Sequence, residues 1–289
     1  MQATKTLAAI NAVLEGQQKI EFRRHLGASV VGRPCARQVF YIWRWAKFEK
    51  FEGRMLRLFA RGQNEEERFF EYLRSIGCEV WPFNTDAGKK NGKPQQWRVS
   101  DVEGHFGGSL DAVGRGLPDL PPDMPFLVEC KTHNLKSFTK LKEEGFMKSK
   151  WEHFIQMQTY MYKMNLGAGL YMAACKDNDE LFLEIVQPDT EQAKRTIERG
   201  RMVIYATEAP MRINKSPGFW MCKFCTFQQI CHFKKEQPHR NCRTCKFSVP
   251  LKDGSGEWHC NRGGWPLDEA AQLAGCDMYE VNPGLFSEP

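Results

Sequence analysis

Gly108-Ser109-Leu110-Asp111-Ala112-Val113 and, further on, Phe126-Leu127-Val128-Glu129-Cys130-Lys131-Thr132 are two short apolar runs, each carrying a carboxylate. Period-two patterning makes both of them strands, within His105 to Val113 and Phe126 to Thr132, and the Pro-rich stretch Gly114 to Pro125 becomes the loop between them. Side chains alternate along a strand, so Lys131 projects from the same face as Glu129. On neighbouring strands Asp111 and Glu129 converge, and a charge set in an apolar strand needs a ligand or a partner. Two carboxylates and a backbone carbonyl, here that of Cys130, are the hard oxygen ligands that Mg²⁺ or Mn²⁺ prefers. A lysine beside them can orient a water or stabilise negative charge built up on a phosphate. Taken alone, Glu129-x-Lys131 is an ordinary cross-strand charge pair and Asp111 a turn residue.

Working outward, the chain reads as helical from Thr4 to Trp45 with a break at Leu26 to Pro34, and again from Gly53 to Ser75, where Leu56, Phe59, Phe69, Phe70 and Leu73 recur at helical spacing. Strands are expected at Cys78 to Pro82, Gln96 to Val99, Gly169 to Cys175 and Glu180 to Val186, with helices at Trp151 to Met164 and Thr190 to Thr207. Helices around a short mixed sheet define an α/β core. The 289 residues allow one large domain with an appendage, or two ordinary ones. No apolar run reaches the length of a membrane span, and Leu7 to Leu14 lacks the flanks of a secretory signal. The net charge of +6 permits a polyanionic partner.

Asp111, Glu129-Cys130-Lys131 and Gln156-Met157-Gln158-Thr159-Tyr160, in this order, resemble the PD-(D/E)XK nuclease superfamily in its RecB-like branch, where a Gln-x-x-x-Tyr helix follows the catalytic strands. Gln156 and Tyr160 lie four apart and share one helix face. The branch also has an upstream glycine followed four residues later by a metal-site residue, which Gly62 and Glu66 match. Glu65, Glu66 and Glu67 are adjacent, and glutamate here is nearer to phage-type exonucleases than to the histidine usual in CRISPR-associated members. The resemblance implies a restriction-endonuclease-like core in which Asp111, Glu129, Glu66 and the Cys130 carbonyl bind Mg²⁺ or Mn²⁺. Lys131 handles the attacking water, and Gln156 and Tyr160 position Lys131 or the DNA backbone.

Eleven cysteines are many for a reducing compartment, and an odd number cannot pair completely, so metal ligation becomes the leading idea. Cys222-x2-Cys225-x5-Cys231 offers three thiolates at spacings that suit zinc or an iron-sulfur cluster. The iron-sulfur RecB-like nucleases have one cysteine before the core and three after it; that resemblance implies a [4Fe-4S] cluster on Cys35, Cys222, Cys225 and Cys231. Cys242, Cys245, Cys260 and Cys276 form a second set that reads as a zinc-ribbon-like module, with His239 and His259 as spare ligands. Such a segment is expected to bury little and to depend on its metal. Cys78, Cys130 and Cys175 fall in strands and are expected to be buried thiols.

The linear organisation expected is a helical segment 1–60 contributing Cys35, a nuclease core 61–217, an iron-sulfur segment 218–236 and a zinc-ribbon-like module 237–289. Lys136, Lys140, Lys142, Lys148 and Lys150 read as a loop gripping a phosphate backbone, with Phe138 and Phe146 placed to stack on bases. Lys246, Lys252, Arg262 and Trp258 can give the last module a nucleic-acid-facing surface or form its core and rim. The resemblance implies a cytoplasmic exonuclease of linear single- or double-stranded DNA in a bacterial or phage-infected cell, with a partner such as a single-strand-annealing recombination protein. A CRISPR spacer-processing nuclease and a non-catalytic zinc-dependent nucleic-acid-binding protein are the alternatives.

Overall fold

The computed structural model describes residues 2–18 and 22–287, which divide into two compact units. The first holds residues 2–18, 49–99 and 109–190, and the second holds 22–48, 100–108 and 191–287. Each is assembled from three separate pieces of chain, so the units do not coincide with the linear segmentation expected above.

The first unit is a five-stranded mixed sheet flanked by helices, the arrangement of a restriction-endonuclease-like core. Its strands run in the order Leu181–Val186, Ala168–Cys175, Phe126–His133, Ala112–Arg115, Glu79–Trp81. Phe126–His133 is central, antiparallel to Ala112–Arg115 and parallel to Ala168–Cys175, with Glu129 opposite Tyr171. Alternation divides it into two faces. Phe126, Val128 and Cys130 join Phe69, Phe70 and Leu73 of the helix Gly53–Ser75 in one buried apolar cluster. The helix Trp151–Met164 covers the opposite face, where Gly169 admits it closely: a Cβ there would stand 2.7 Å from Met157 Cε. Cys78, Cys130 and Cys175 are all buried.

Three expectations change. The single strand His105 to Val113 is two strands, Phe106–Ser109 and Ala112–Arg115, and Asp111 sits in the break between them. The segment after Lys131 is not a loop. Asn134 caps a helix Leu135–Glu144 by accepting from Ser137 N–H at 2.9 Å, and a single turn Phe146–Ser149 follows. At the N-terminus the helix Thr4–Gly16 is followed, after residues 19–21, which lie outside the described residues, by Leu26–Gly27 in extended pairing with Phe106–Gly107, and then by the helix Ala36–Trp43.

The second unit carries the cysteine-rich tail, and that tail buries more than its composition suggests. Three short strands, Ser248–Pro250, Trp258–Cys260 and Trp265–Leu267, form an antiparallel sheet beside a short helix Glu269–Ala274. At their centre Arg243 is fully buried, its guanidinium 3.7 Å from the ring centroid of Trp45, 4.4 Å from Trp43 and 4.9 Å from Trp258. Its donors reach Gln272 Oε1 at 2.8 Å, Arg24 O at 2.7 Å and Trp43 O at 3.3 Å. Burial, with the charge of nearby Arg44, holds its pKa below the ordinary arginine value. Trp258 is therefore core and not part of a nucleic-acid-facing surface, while Lys246 and Arg262 both pair with Glu280.

Aromatic faces and carbonyl dipoles here replace the carboxylate that usually accompanies a buried arginine, and desolvated cation–π contacts are worth about 2 kcal/mol each. Truncation opens a void among three indoles and strands three acceptors. Arg243→Ala should therefore cost about 3–5 kcal/mol, read as a fall in the urea midpoint, with Arg243→Lys restoring little because an ammonium lacks the planar fork.

Candidate active site

Glu129 is entirely without solvent exposure. Burying a carboxylate this completely requires compensation, and Gln156 and Lys131 provide it. Gln156 Nε2 donates to Glu129 Oε1 and Oε2 at 2.9 and 3.2 Å. The Lys131 ammonium forms an ion pair with Oε1 and also donates to Cys130 O at 2.9 Å. Asp111 Oδ2 lies 3.7 Å from the same ammonium and accepts from Cys130 N–H at 2.8 Å. This last bond clips the chain break before Ala112 onto the central strand, which is why the carboxylates converge although Asp111 is outside the regular ladder.

Glu66 belongs to the same electrostatic cluster. Burial and the charge of Asp111 raise its pKa to about 7, against a lowering by Lys131. The neighbouring glutamates are occupied elsewhere, Glu65 with Arg68 at 3.0 Å and Glu67 with Arg74 at 2.8 Å. Burial also raises the pKa of Glu129, with Lys131 opposing and Asp111 adding to the shift. For Lys131 burial works against the charge, but Glu129 and Asp111 override it and hold the ammonium protonated well above the usual range. Among the described residues no three His, Cys, Asp or Glu side chains are disposed to hold a metal ion as they stand. The donor set nonetheless suits a hard divalent cation: Asp111 raises the proton affinity of both Glu66 and Glu129, a single ammonium sits among them, and a cation would relieve that repulsion.

The structure thus brings together Glu66, Asp111, Glu129, Cys130, Lys131 and Gln156. Gln156 donates to Glu129, where Lys131 or the DNA backbone was the expected partner. Tyr160 is buried one helical turn further along. Of the lysines, Lys136 and Lys148 are exposed, Lys140 lies 3.8 Å from Glu144, Lys142 pairs with Glu180 at 2.5 Å, and Lys150 turns inward to Ser137 Oγ at 2.5 Å. Phe138 and Phe146 are 1% exposed, so neither can stack on a base. They are the apolar side of the short helices that replace the expected loop.

One group escaped the sequence reading. Tyr171, opposite Glu129, has its hydroxyl 2.9 Å from His133 Nε2 and 3.0 Å from His153 Nδ1, and the two imidazoles stack at 6.1 Å. His133 alternates with Lys131 and Glu129 on one strand face, a signal present in the sequence. Tyr171 sits in a uniformly apolar strand and gives none. Burial first, then nearby lysines, lower the pKa of His133 to about 4 and of His153 to about 3.

The thiols are also gathered. Cys35, Cys222, Cys225 and Cys231, all in the second unit, line one small cavity. Burial, then the charges of the other thiols, raises the pKa of Cys222. Burial first, then the charges of Cys245, Cys276 and Cys260, raises the pKa of Cys242 to about 11. Among the described residues no helix is long and apolar enough to cross a membrane.

No protein-family model and no curated protein matches this chain. Solved structures are similar to it in fold. SSO0001 is 16% identical with a TM-score of 0.45, over 80% of this chain and 97% of that one. An alkaline exonuclease, LHK-Exo from Laribacter hongkongensis, is 17% identical with a TM-score of 0.42, over 68% and 90%. The same exonuclease in complex with dAMP is 16% identical with a TM-score of 0.37, over 68% and 90%. Every TM-score lies below 0.5, so what the site can do is read from its own residues.

The two histidines set a pH dependence. Below about pH 6.5 the unfolded chain takes up protons that the folded imidazoles refuse until about pH 4 and 3, so stability falls as the pH is lowered through that window. Urea titrations between pH 7 and 4 should show this loss, and His153→Gln should make it shallower.

Proposed function

We propose that the first unit hydrolyses phosphodiester bonds of linear DNA in a reaction dependent on Mg²⁺ or Mn²⁺. The observation that carries this reading is the fully buried Glu129, held by Lys131 and Gln156 with Asp111 and Glu66 beside it. An ion pair built for stability alone has no use for two further carboxylates. Asp111, Glu129, Glu66 and the Cys130 carbonyl would hold the cation, which when bound neutralises phosphate charge and lowers the pKa of a water.

The remaining work falls to the chain. Lys131 stays protonated beside two carboxylates and so acts as a cation, orienting the water and stabilising charge on the phosphate, rather than as a base. Gln156 fixes the rotamer of Glu129 through two hydrogen bonds. Exonuclease action on linear DNA, and a recombination protein as partner, are what the sequence resemblance implies.

Cys35, Cys222, Cys225 and Cys231 are proposed to hold a [4Fe-4S] cluster. Their shared cavity and clustered thiols support this, since thiolates packed together require a cationic centre. Cys242, Cys245, Cys260 and Cys276 are proposed to hold Zn²⁺, a reading that their spacing supports.

Digestion of 5′- and 3′-labelled linear DNA, single- and double-stranded, tests the activity. Wild type should release nucleotides with Mg²⁺ or Mn²⁺. Lys131→Ala and Asp111→Asn should slow cleavage by about 10²–10³ while retaining binding and a cooperative melt. Wild-type rates in a folded Lys131→Ala protein would remove the mechanism.

Anaerobically purified protein should be brown, with iron and sulfide in equal amounts, and Cys35→Ser should lose both. A colourless wild type carrying zinc at this set would replace the cluster by zinc.

A further inference from the structure

The second unit exposes a group of rings that neither the cysteine sets nor its core explains. Trp220 is 65% exposed, Phe224 79% and Phe233 42%, and Met211 is exposed as well. A soluble surface can carry one such ring without significance, but three large rings within fourteen residues mark a binding surface. The chain that carries them is also uniformly basic. From Met211 to Lys235 it contains Arg212, Lys215, Lys223, Lys234 and Lys235 and no aspartate or glutamate.

The geometry interleaves rings and cations. Lys223 Nζ lies 5.6 Å from the Phe224 ring centroid and Lys235 Nζ 5.9 Å from that of Phe233. Phe219 and Trp220 are in ring contact at 5.9 Å. The ends of the segment meet, because Arg212 Nη2 donates to Cys231 O at 2.6 Å and Ile213, Met221 and His232 border the same cavity. Trp220, Phe224 and Phe233 each adjoin in sequence a residue bordering this cavity, Met221, Cys225 and His232.

We infer that this surface, centred on Trp220 and Phe224 with Lys215, Lys223, Lys234 and Lys235, binds single-stranded DNA, bases stacking on the rings and phosphates meeting the ammonium groups. Every base has a π face that an exposed ring can take, and a cationic rim without carboxylates suits the backbone between bases. Duplex DNA hides those faces within its own stack. An anionic membrane is served less well, because the helical segments between Met211 and Lys235, Trp220–Lys223 and Gln229–Phe233, are four and five residues long and cannot bury a continuous apolar stripe. The surface is distinct from the carboxylate cluster of the first unit and its binding does not rest on the activity proposed there.

The experiment uses the full chain with its own metals and no added divalent cation, so that nothing is cleaved. Anisotropy of a labelled oligothymidylate should give a Kd about tenfold or more weaker for Trp220→Ala/Phe224→Ala than for wild type. Lys234→Ala/Lys235→Ala should reduce the dependence of log K on log salt by about 1.4, the expectation for two lost phosphate contacts on a single strand. An abasic oligomer of equal length should bind wild type as weakly as the thymidylate binds the ring variant. Melting temperature and metal content should be unchanged in both variants, since every substituted side chain is exposed. Equal affinity of wild type and ring variant for oligothymidylate overturns the proposal, as does abasic DNA binding as tightly as thymidylate. Loss of binding to phosphatidylglycerol vesicles with single-strand affinity intact also overturns it and assigns the surface to lipid. These readings stand whether or not the protein cleaves DNA.

Discussion

A carboxylate with no access to water, at the centre of a five-stranded sheet, constrains everything around it. Glu129 cannot stay ionised there without Lys131 and Gln156. Lys131 follows two residues later because alternation returns the side chain to the same face, and Gln156 follows on a helix that must lie close enough to donate. That closeness depends on Gly169, which leaves room for Met157 between helix and sheet. Asp111 is fastened by the Cys130 amide, so the break between two strands becomes the point where a second carboxylate joins the first. Fold and site are consequences of one buried charge and the geometry needed to accommodate it.

The second unit solves a different problem with a related device. The strands of its C-terminal sheet are three residues long and cannot alone enclose an aliphatic core. It buries Arg243 among three indoles and adds Arg44, whose guanidinium lies 5.2 Å from the rings of Phe40 and Trp258 and donates to Ala206 O at 2.6 Å. Planar guanidinium groups fill volume, stack and satisfy carbonyls that have no strand partner. The rings that this economy leaves outside are the ones available to a partner.

The helices Gly53–Ser75 and Trp151–Met164 stand at the ends the sequence indicates, because their apolar spacing and polar faces agree over many residues. The central strand and the convergence of Asp111, Glu129 and Lys131 were legible for a similar reason: alternation is a local property and a charge in an apolar run has few explanations. The stretch 134–149 departs from the solvated loop that its lysine abundance resembles, because Phe138, Leu141 and Phe146 form a helical apolar side that matters only once a sheet is present to cover.

What the sequence by itself determined is the class of architecture and the carboxylates and lysine that meet. Which of three adjacent glutamates joins the cluster was decided by helix phase, with Glu65 and Glu67 drawn to arginines and Glu66 turned toward Asp111. That Trp258 is core, that Lys150 points inward, and that Tyr171 stands between two histidines beside Glu129 were decided by tertiary packing alone. Local patterns record which face of an element a residue occupies. They do not record what the facing element brings to it, and burial, pairing and proton affinity are all set by that second element.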